Sequence, residues 1–133
     1  MAGCVGQPTS NQSKQSSIAA GQSLFATHCA NCHGTYADGN GIMAPALSVA
    51  MKDLRYLSAR NNNRFPRAFV SQIIDGRDTR AAHGPADMPV WGDIFLATAA
   101  QSSQEGTSPS SEHRLQTKID SISLYLEYIQ QTQ

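Results

Sequence analysis

Net charge is the first thing this sequence of 133 residues does without, because ten Lys and Arg are matched by ten Asp and Glu. No strong electrostatic case follows for nucleic acid or an acidic surface as partner. Long apolar runs are missing too, so no segment reads as a membrane-crossing helix. No nucleophile or acid–base pair stands out, which argues against catalysis by this chain alone. Cysteine is scarce: Cys29 and Cys32 stand close together and Cys4 stands far off. A structural zinc site needs a second pair of ligands at matching spacing, and His83 and His113 are too distant in sequence to supply it. A redox dithiol usually sits in a βαβ setting, and no such alternation is visible. The opening Met1-Ala2-Gly3-Cys4 lacks the charged and apolar regions of a secretory signal.

What is present is Cys29-Ala30-Asn31-Cys32-His33-Gly34, a CxxCH box. Two thiols and an imidazole this close together have few chemical uses, and one is covalent haem attachment. The thiols add across the two vinyl groups of haem to leave thioethers, and the adjacent histidine binds the iron. One box predicts one haem. A chain of this length is a single domain, and a covalently held macrocycle becomes a sizeable part of its core.

The chain reads as all-α, a few helices and long loops wrapped around that haem. Residues 1–17 are polar and without periodicity, a flexible tether, and the haem domain is expected over 18–133. Ser16 or Ser17 is placed to cap a helix from about Ile18 into the box, with Gly21 and Phe25 on its inner face. Leu115, Ile119, Ile122, Leu126 and Ile129 form one stripe of a closing helix that starts near Ser110 or Ser111, flanked by Tyr125 and Tyr128. Gly21, unfavourable in mid-helix, predicts a close crossing of these two helices. Between them come a loop with Gly34, Gly39, Gly41 and Pro45, and a short helix at about Val49–Ser58 broken by Asn61-Asn62-Asn63. A helix from Pro66 to Gly76 follows, with Phe69, Val70, Ile73 and Ile74 on or beside its inner face, and then another over Asp93–Ala100. Residues 101–111, rich in serine and glutamine, read as a surface insertion.

These residues resemble the class I cytochrome c family, bacterial monohaem carriers, over about residues 18–129. Gly21 and Phe25 precede Cys29 by eight and four residues, and Pro45 and Leu47 follow His33 by twelve and fourteen, as the family's conserved positions do. Met88-Pro89-Val90-Trp91-Gly92 resembles the family's axial-methionine loop. The resemblance implies a haem site of Cys29, Cys32, His33, Met88, Pro45 and Trp91, with iron held by His33 and Met88. It also implies that the Pro45 carbonyl accepts a hydrogen bond from the His33 ring and so orients it.

Met43 and His83 are alternatives to Met88 as sixth ligand, and so is an open position. Met88 has the best setting, since Pro89 stiffens the chain and Trp91 can cover the haem edge. Met43 is better suited to packing against the porphyrin, while His28 and His113 read as solvent-facing. A thioether ligand favours ferrous iron and so raises the potential. The function implied is a single-electron carrier of a respiratory or related chain, working with redox partner proteins such as membrane respiratory complexes. Alternatives are a haem c subunit of a larger membrane oxidoreductase and a gas-sensing domain. Haem attachment at CxxCH takes place outside the cytoplasm, which points to the periplasm or the outer face of a bacterial cytoplasmic membrane. Ala2-Gly3-Cys4 looks like the end of a lipoprotein box, so membrane association through a lipidated Cys4 is a further expectation. Charge is uneven: seven basic and three acidic residues occupy 52–80, whereas two basic and six acidic residues occupy 81–133. The basic block reads as solvated surface, with some arginines neutralising haem propionates or forming a docking face.

Overall fold

The computed structural model of the chain describes residues 9–78, 88–103 and 109–132. Cys4 and His83 lie outside the described residues.

The polar opening is helical further back than its composition suggests. Thr9 and Gln12 form a reciprocal capping box, with the Thr9 N–H donating to Gln12 Oε1 at 2.9 Å. This starts α1 (Ser10–His28) inside the expected tether. Ser16 and Ser17 are therefore not caps; their hydroxyls donate to the carbonyls of Gln12 and Ser13, each at 3.0 Å. The early turns are exposed, and burial begins with Ile18, Gly21 and Phe25. A short helix, α2 (Ala30–His33), carries the box and ends at Gly34, whose φ of 84° suits glycine.

The closing helix is α5 (Pro109–Tyr128), which buries Leu115, Ile119, Ile122, Tyr125 and Leu126 as its stripe requires, while Tyr128 turns out to solvent. Proline at its first position needs no N–H partner. The crossing with α1 falls at Gly21, where an added Cβ would overlap the Ser121 carbonyl and lie 3.0 Å from the Tyr125 Cβ. Just beyond, the Phe25 and Tyr125 rings pack at 5.5 Å.

Helix α3 (Arg67–Asp75) follows Pro66 and ends at Gly76, with φ of 71°. It buries Val70 and Ile74 and meets α5 through a Ser71–Ser123 hydroxyl contact of 3.0 Å. Helix α4 (Trp91–Ser103) begins before Asp93 and runs past Ala100. The expected insertion is thus helical at both ends, and Ser111 is buried.

No α-helix forms at Val49–Ser58. Two 3-10 turns, Leu54–Tyr56 and Ala59–Asn61, stand in its place. The reason is competition for backbone groups. Asp53 caps the Arg55 N–H at 2.9 Å, Gln130 accepts from the Ser58 N–H at 2.8 Å and donates to the Leu54 carbonyl at 2.9 Å, and Gln131 N–H donates to Arg55 at 2.8 Å. Asn62 and Asn63, both at positive φ, end the segment as expected. Among the described residues there is no strand, and no helix is long and apolar enough to cross a membrane.

Candidate haem site

The CxxCH box is one continuous coil of backbone. Cys29 N–H donates to Phe25 at 2.8 Å, His33 N–H to Cys29 at 2.9 Å, and Gly34 N–H to Ala30 at 2.9 Å. The following loop folds back over it, with Gly39 N–H on the His33 carbonyl and Met43 N–H on the Asn31 carbonyl, both at 2.8 Å. That close approach requires glycine at position 41, because any Cβ there would collide with the Asn31 and Cys32 backbone.

Two cavities open beside the box, of about 480 and 280 Å³. The larger takes Cys32, Met43, Leu47, Val49, Met51, Pro89 and Trp91 among its walls. The smaller is almost wholly apolar, walled by Phe25, Leu54, Leu57, Phe69, Val70, Ile73, Ile74, Ile122 and Leu126. Three residues line both: Cys29, His33 and Met88. The first thiol of the box and the two expected axial ligands therefore stand where the cavities meet, and the pair reads as two sides of one cleft.

Burial lowers the His33 pKa, which keeps the imidazole neutral and able to bind a metal. Its Nδ1 is buried and has no hydrogen-bond partner among the described residues, a costly state for a polar atom. The Cys29 thiol is pushed up to about 12 by burial and by the neighbouring Cys32. That shift is opposite to the one that activates an attacking thiol.

Trp91 opens α4 at the cleft wall and stacks on Phe95 at 5.6 Å. His28, expected to face solvent, instead packs against both rings at 5.2 Å, because the first turns of α4 bring Trp91 and Phe95 to the end of α1. Desolvation, then the charge of Lys118, lowers its pKa. Lys118 Nζ itself sits 5.2 Å from the Phe95 centroid. Position 28, directly before the first cysteine, was the one available sequence signal for this wall. His113 is exposed, as expected.

Residues 16–101 match the family described as cytochrome C oxidase, cbb3-type, subunit III. The chain belongs to that family. It is a class I c-type cytochrome family, so the all-α architecture is a cytochrome c fold, the domain is an electron carrier, and the cofactor is covalently bound haem c. No curated protein and no solved structure matches the chain. The matched stretch holds the box, the cleft loop and Met88, and stops before α5.

The chain's residues fit haem c. The cleft joins a CxxCH box to an apolar cavity, His33 and Met88 line both of its halves, and apolar side chains that are otherwise exposed, Phe69, Val49 and Met43, line it. Phe69, expected on or beside the inner face of α3, lines the cleft together with Val70, Ile73 and Ile74. Among the described residues no cluster of three or more His, Cys, Asp or Glu forms a further metal site.

One expectation needs correction and another is narrowed. Pro45 lies exposed on a 3-10 turn (Ala44–Ala46), lines neither cavity and does not accept from His33 Nδ1. The loop is fastened to the box through Met43 N–H instead, and Leu47 is what reaches the cleft. Four arginines of the basic block are engaged by partners within the chain. Arg55 pairs with Asp53 at 2.7 Å, Arg67 with Glu127, and Arg77 with Asp75 and Glu112, each at 2.6 Å, while Arg60 donates to the Asp53 carbonyl at 2.5 Å. Among the described residues the one lysine or arginine lining either cavity is Lys52.

Proposed function

We propose that this chain passes single electrons through a haem c held by Cys29 and Cys32, with His33 and Met88 as the axial ligands. The observation that carries the reading is that His33, Met88 and Cys29 all line both halves of the cleft. Haem bound there supplies a one-electron Fe(II)/Fe(III) couple. Cys29 and Cys32 tether it, so that it survives repeated turnover. His33, kept neutral by burial, offers a nitrogen, and Met88 a soft sulfur that favours the reduced iron. Pro89 and Trp91 line the wall next to Met88. If His33 and Met88 both bound the iron, this chain would leave no open position there for a substrate, and little would have to move as the electron passed.

The match to an oxidase subunit supports the finer reading that this domain works inside a membrane respiratory complex rather than as a free carrier. Its donor and acceptor are then redox proteins of that chain. Attachment of haem at CxxCH supports a location outside the cytoplasm, in the periplasm or at the outer face of the cytoplasmic membrane, and a lipidated Cys4 would hold it there.

The ligand assignment is tested on the ferric holoprotein. A His/Met haem has a weak long-wavelength charge-transfer band, which Met88→Ala should abolish and Met43→Ala and His83→Ala should leave. Survival of the band in Met88→Ala would overturn the assignment. Stopped-flow exchange with an oxidase or reductase of the same organism tests the carrier role; slow exchange with all of them, together with fast carbon monoxide binding by the reduced protein, would favour a gas sensor instead.

A further inference from the structure

The segment that delivers Met88 leaves α3 at Gly76 and returns at Val90, and the two ends of that excursion are fastened to each other. A Cβ on Gly76 would lie only 3.4 Å from the Val90 Cα, so the chain departing α3 touches the chain arriving at α4. Two residues beyond Val90 the contact is tighter. A Cβ on Gly92 would lie 2.7 Å from the Asp75 carbonyl oxygen and 2.8 Å from Arg77 Nε. The first turn of α4 therefore rests against Asp75 and Arg77, and only glycine at 92 permits it.

Arg77 is itself gripped from two directions. Its Nε and Nη2 donate to the two oxygens of Asp75 at 2.6 and 2.9 Å, and its Nη1 and Nη2 donate to the two oxygens of Glu112 at 3.2 and 2.6 Å. Both carboxylates are taken in the bidentate manner that a planar guanidinium allows and an ammonium does not. Asp75 ends α3 and Glu112 lies in the first turn of α5, so one side chain joins the end of α3, the start of α4 and the start of α5. The pairs are part-buried on the Asp75 side, with 27% of the Arg77 side chain and 23% of the Asp75 side chain exposed, so they are screened less than an open surface pair.

We propose that Arg77 is a positioning residue for the axial methionine: through Asp75 and Glu112 it locks the base from which Met88 reaches the cleft, and so sets how often the sulfur leaves the iron. The inference rests on Met88 being the sixth ligand.

The experiment uses ferric holoprotein and imidazole as an external ligand. Imidazole binds only when the sixth position is vacated, so its apparent affinity rises in proportion to the fraction of molecules in which Met88 has let go. Arg77→Gln should tighten imidazole binding by about three- to tenfold, the range expected when hydrogen bonds to charged groups are lost from a part-buried setting. Glu112→Gln removes the more exposed of the two carboxylates and keeps the folded state intact; it should give a smaller increase, about two- to threefold. Arg67→Gln is the control, because Arg67–Glu127 joins α3 and α5 at their opposite ends, away from Met88. It should leave imidazole affinity unchanged. Unaltered affinity in both Arg77→Gln and Glu112→Gln, or an equal rise in Arg67→Gln, would overturn the proposal, the latter because general loosening would then explain the effect. Met88→Ala separates the two readings: if it binds imidazole no more tightly than the parent protein, it is the ligand assignment that has failed.

Discussion

Replacing Gly21 by alanine sets two effects of known sign against each other. On an exposed helix face the change stabilises, by about 0.5–1 kcal/mol, because glycine loses more backbone freedom on folding. At Gly21 the added methyl has nowhere to go. It overlaps the Ser121 carbonyl and crowds the Tyr125 Cβ, and neither is the free end of a flexible side chain. Overpacking of this kind costs about 1–3 kcal/mol, and the backbone on both sides puts this case in the upper half of that range. The clash therefore wins, by about 1–2 kcal/mol. Unfolding entropy of about 2.1 cal/mol/K per residue makes that a fall of roughly 4–7 °C in Tm for a chain of this length. The assay is a thermal melt of the holoprotein followed by far-ultraviolet circular dichroism, with Ser23→Ala, on the exposed face of the same helix, as reference. A Tm for Gly21→Ala at or above that of the parent would refute the close crossing of α1 and α5.

Lys52→Gln should lower the haem reduction potential, because a cation at the cleft favours the less positive ferrous state. An exposed pair is worth about 0.2–1 kcal/mol, and at about 59 mV per decade for one electron the fall should be roughly 10–40 mV by spectroelectrochemical titration, whereas Arg64→Gln, outside both cavities, should cause none. Asp75 is held below the usual carboxylate range by the hydrogen bonds and charge of Arg77, so its contribution to stability is present above about pH 4 and lost as the pH falls through its lowered folded value. Denaturant titrations should accordingly show a shallower acid loss of stability in Asp75→Asn than in the parent. Cys4→Ser should release the protein from membranes of its native host; wild-type protein that is soluble, with Cys4 unmodified, would end the lipid-anchor reading.

The box, the presence of Met88 at the cleft beside it and the α1–α5 crossing were legible because each is written in residues whose chemistry or spacing admits few uses. Two thiols beside an imidazole point to haem, and a glycine facing an aliphatic stripe points to a crossing. What the sequence hid depends on partners far along the chain. The start of α1 rests on the Thr9–Gln12 capping box in a polar stretch whose residues stay exposed, so no apolar periodicity marks it. The 3-10 turns at 54–61 follow from Gln130 and Gln131 taking up the backbone groups of Leu54, Arg55 and Ser58. The basic block appeared free to meet propionates or a partner, yet Arg67 and Arg77 find their acids in α5, at Glu127 and Glu112. His28 read as a surface residue because nothing in its own helix predicts that Trp91 and Phe95 will pack against it.

The distribution of exposed apolar side chains ties the cofactor to the fold. Phe69 and Val49 are each 58% exposed and Met43 49%, and all three face the cleft. Tyr36, Ile42, Ile94 and Tyr128 are exposed as well but line neither cavity. Only the first group gains from a flat apolar macrocycle seated at the box, and it comes from three separate segments: the loop after His33, the stretch before the 3-10 turns, and α3. Haem c thus extends the core that Ile18, Phe25, Val70, Ile74 and Ile122 begin, drawing together segments that few backbone hydrogen bonds join. Covalent attachment matters doubly in such a domain, because loss of the macrocycle would remove a redox centre and reopen the interior at the same time.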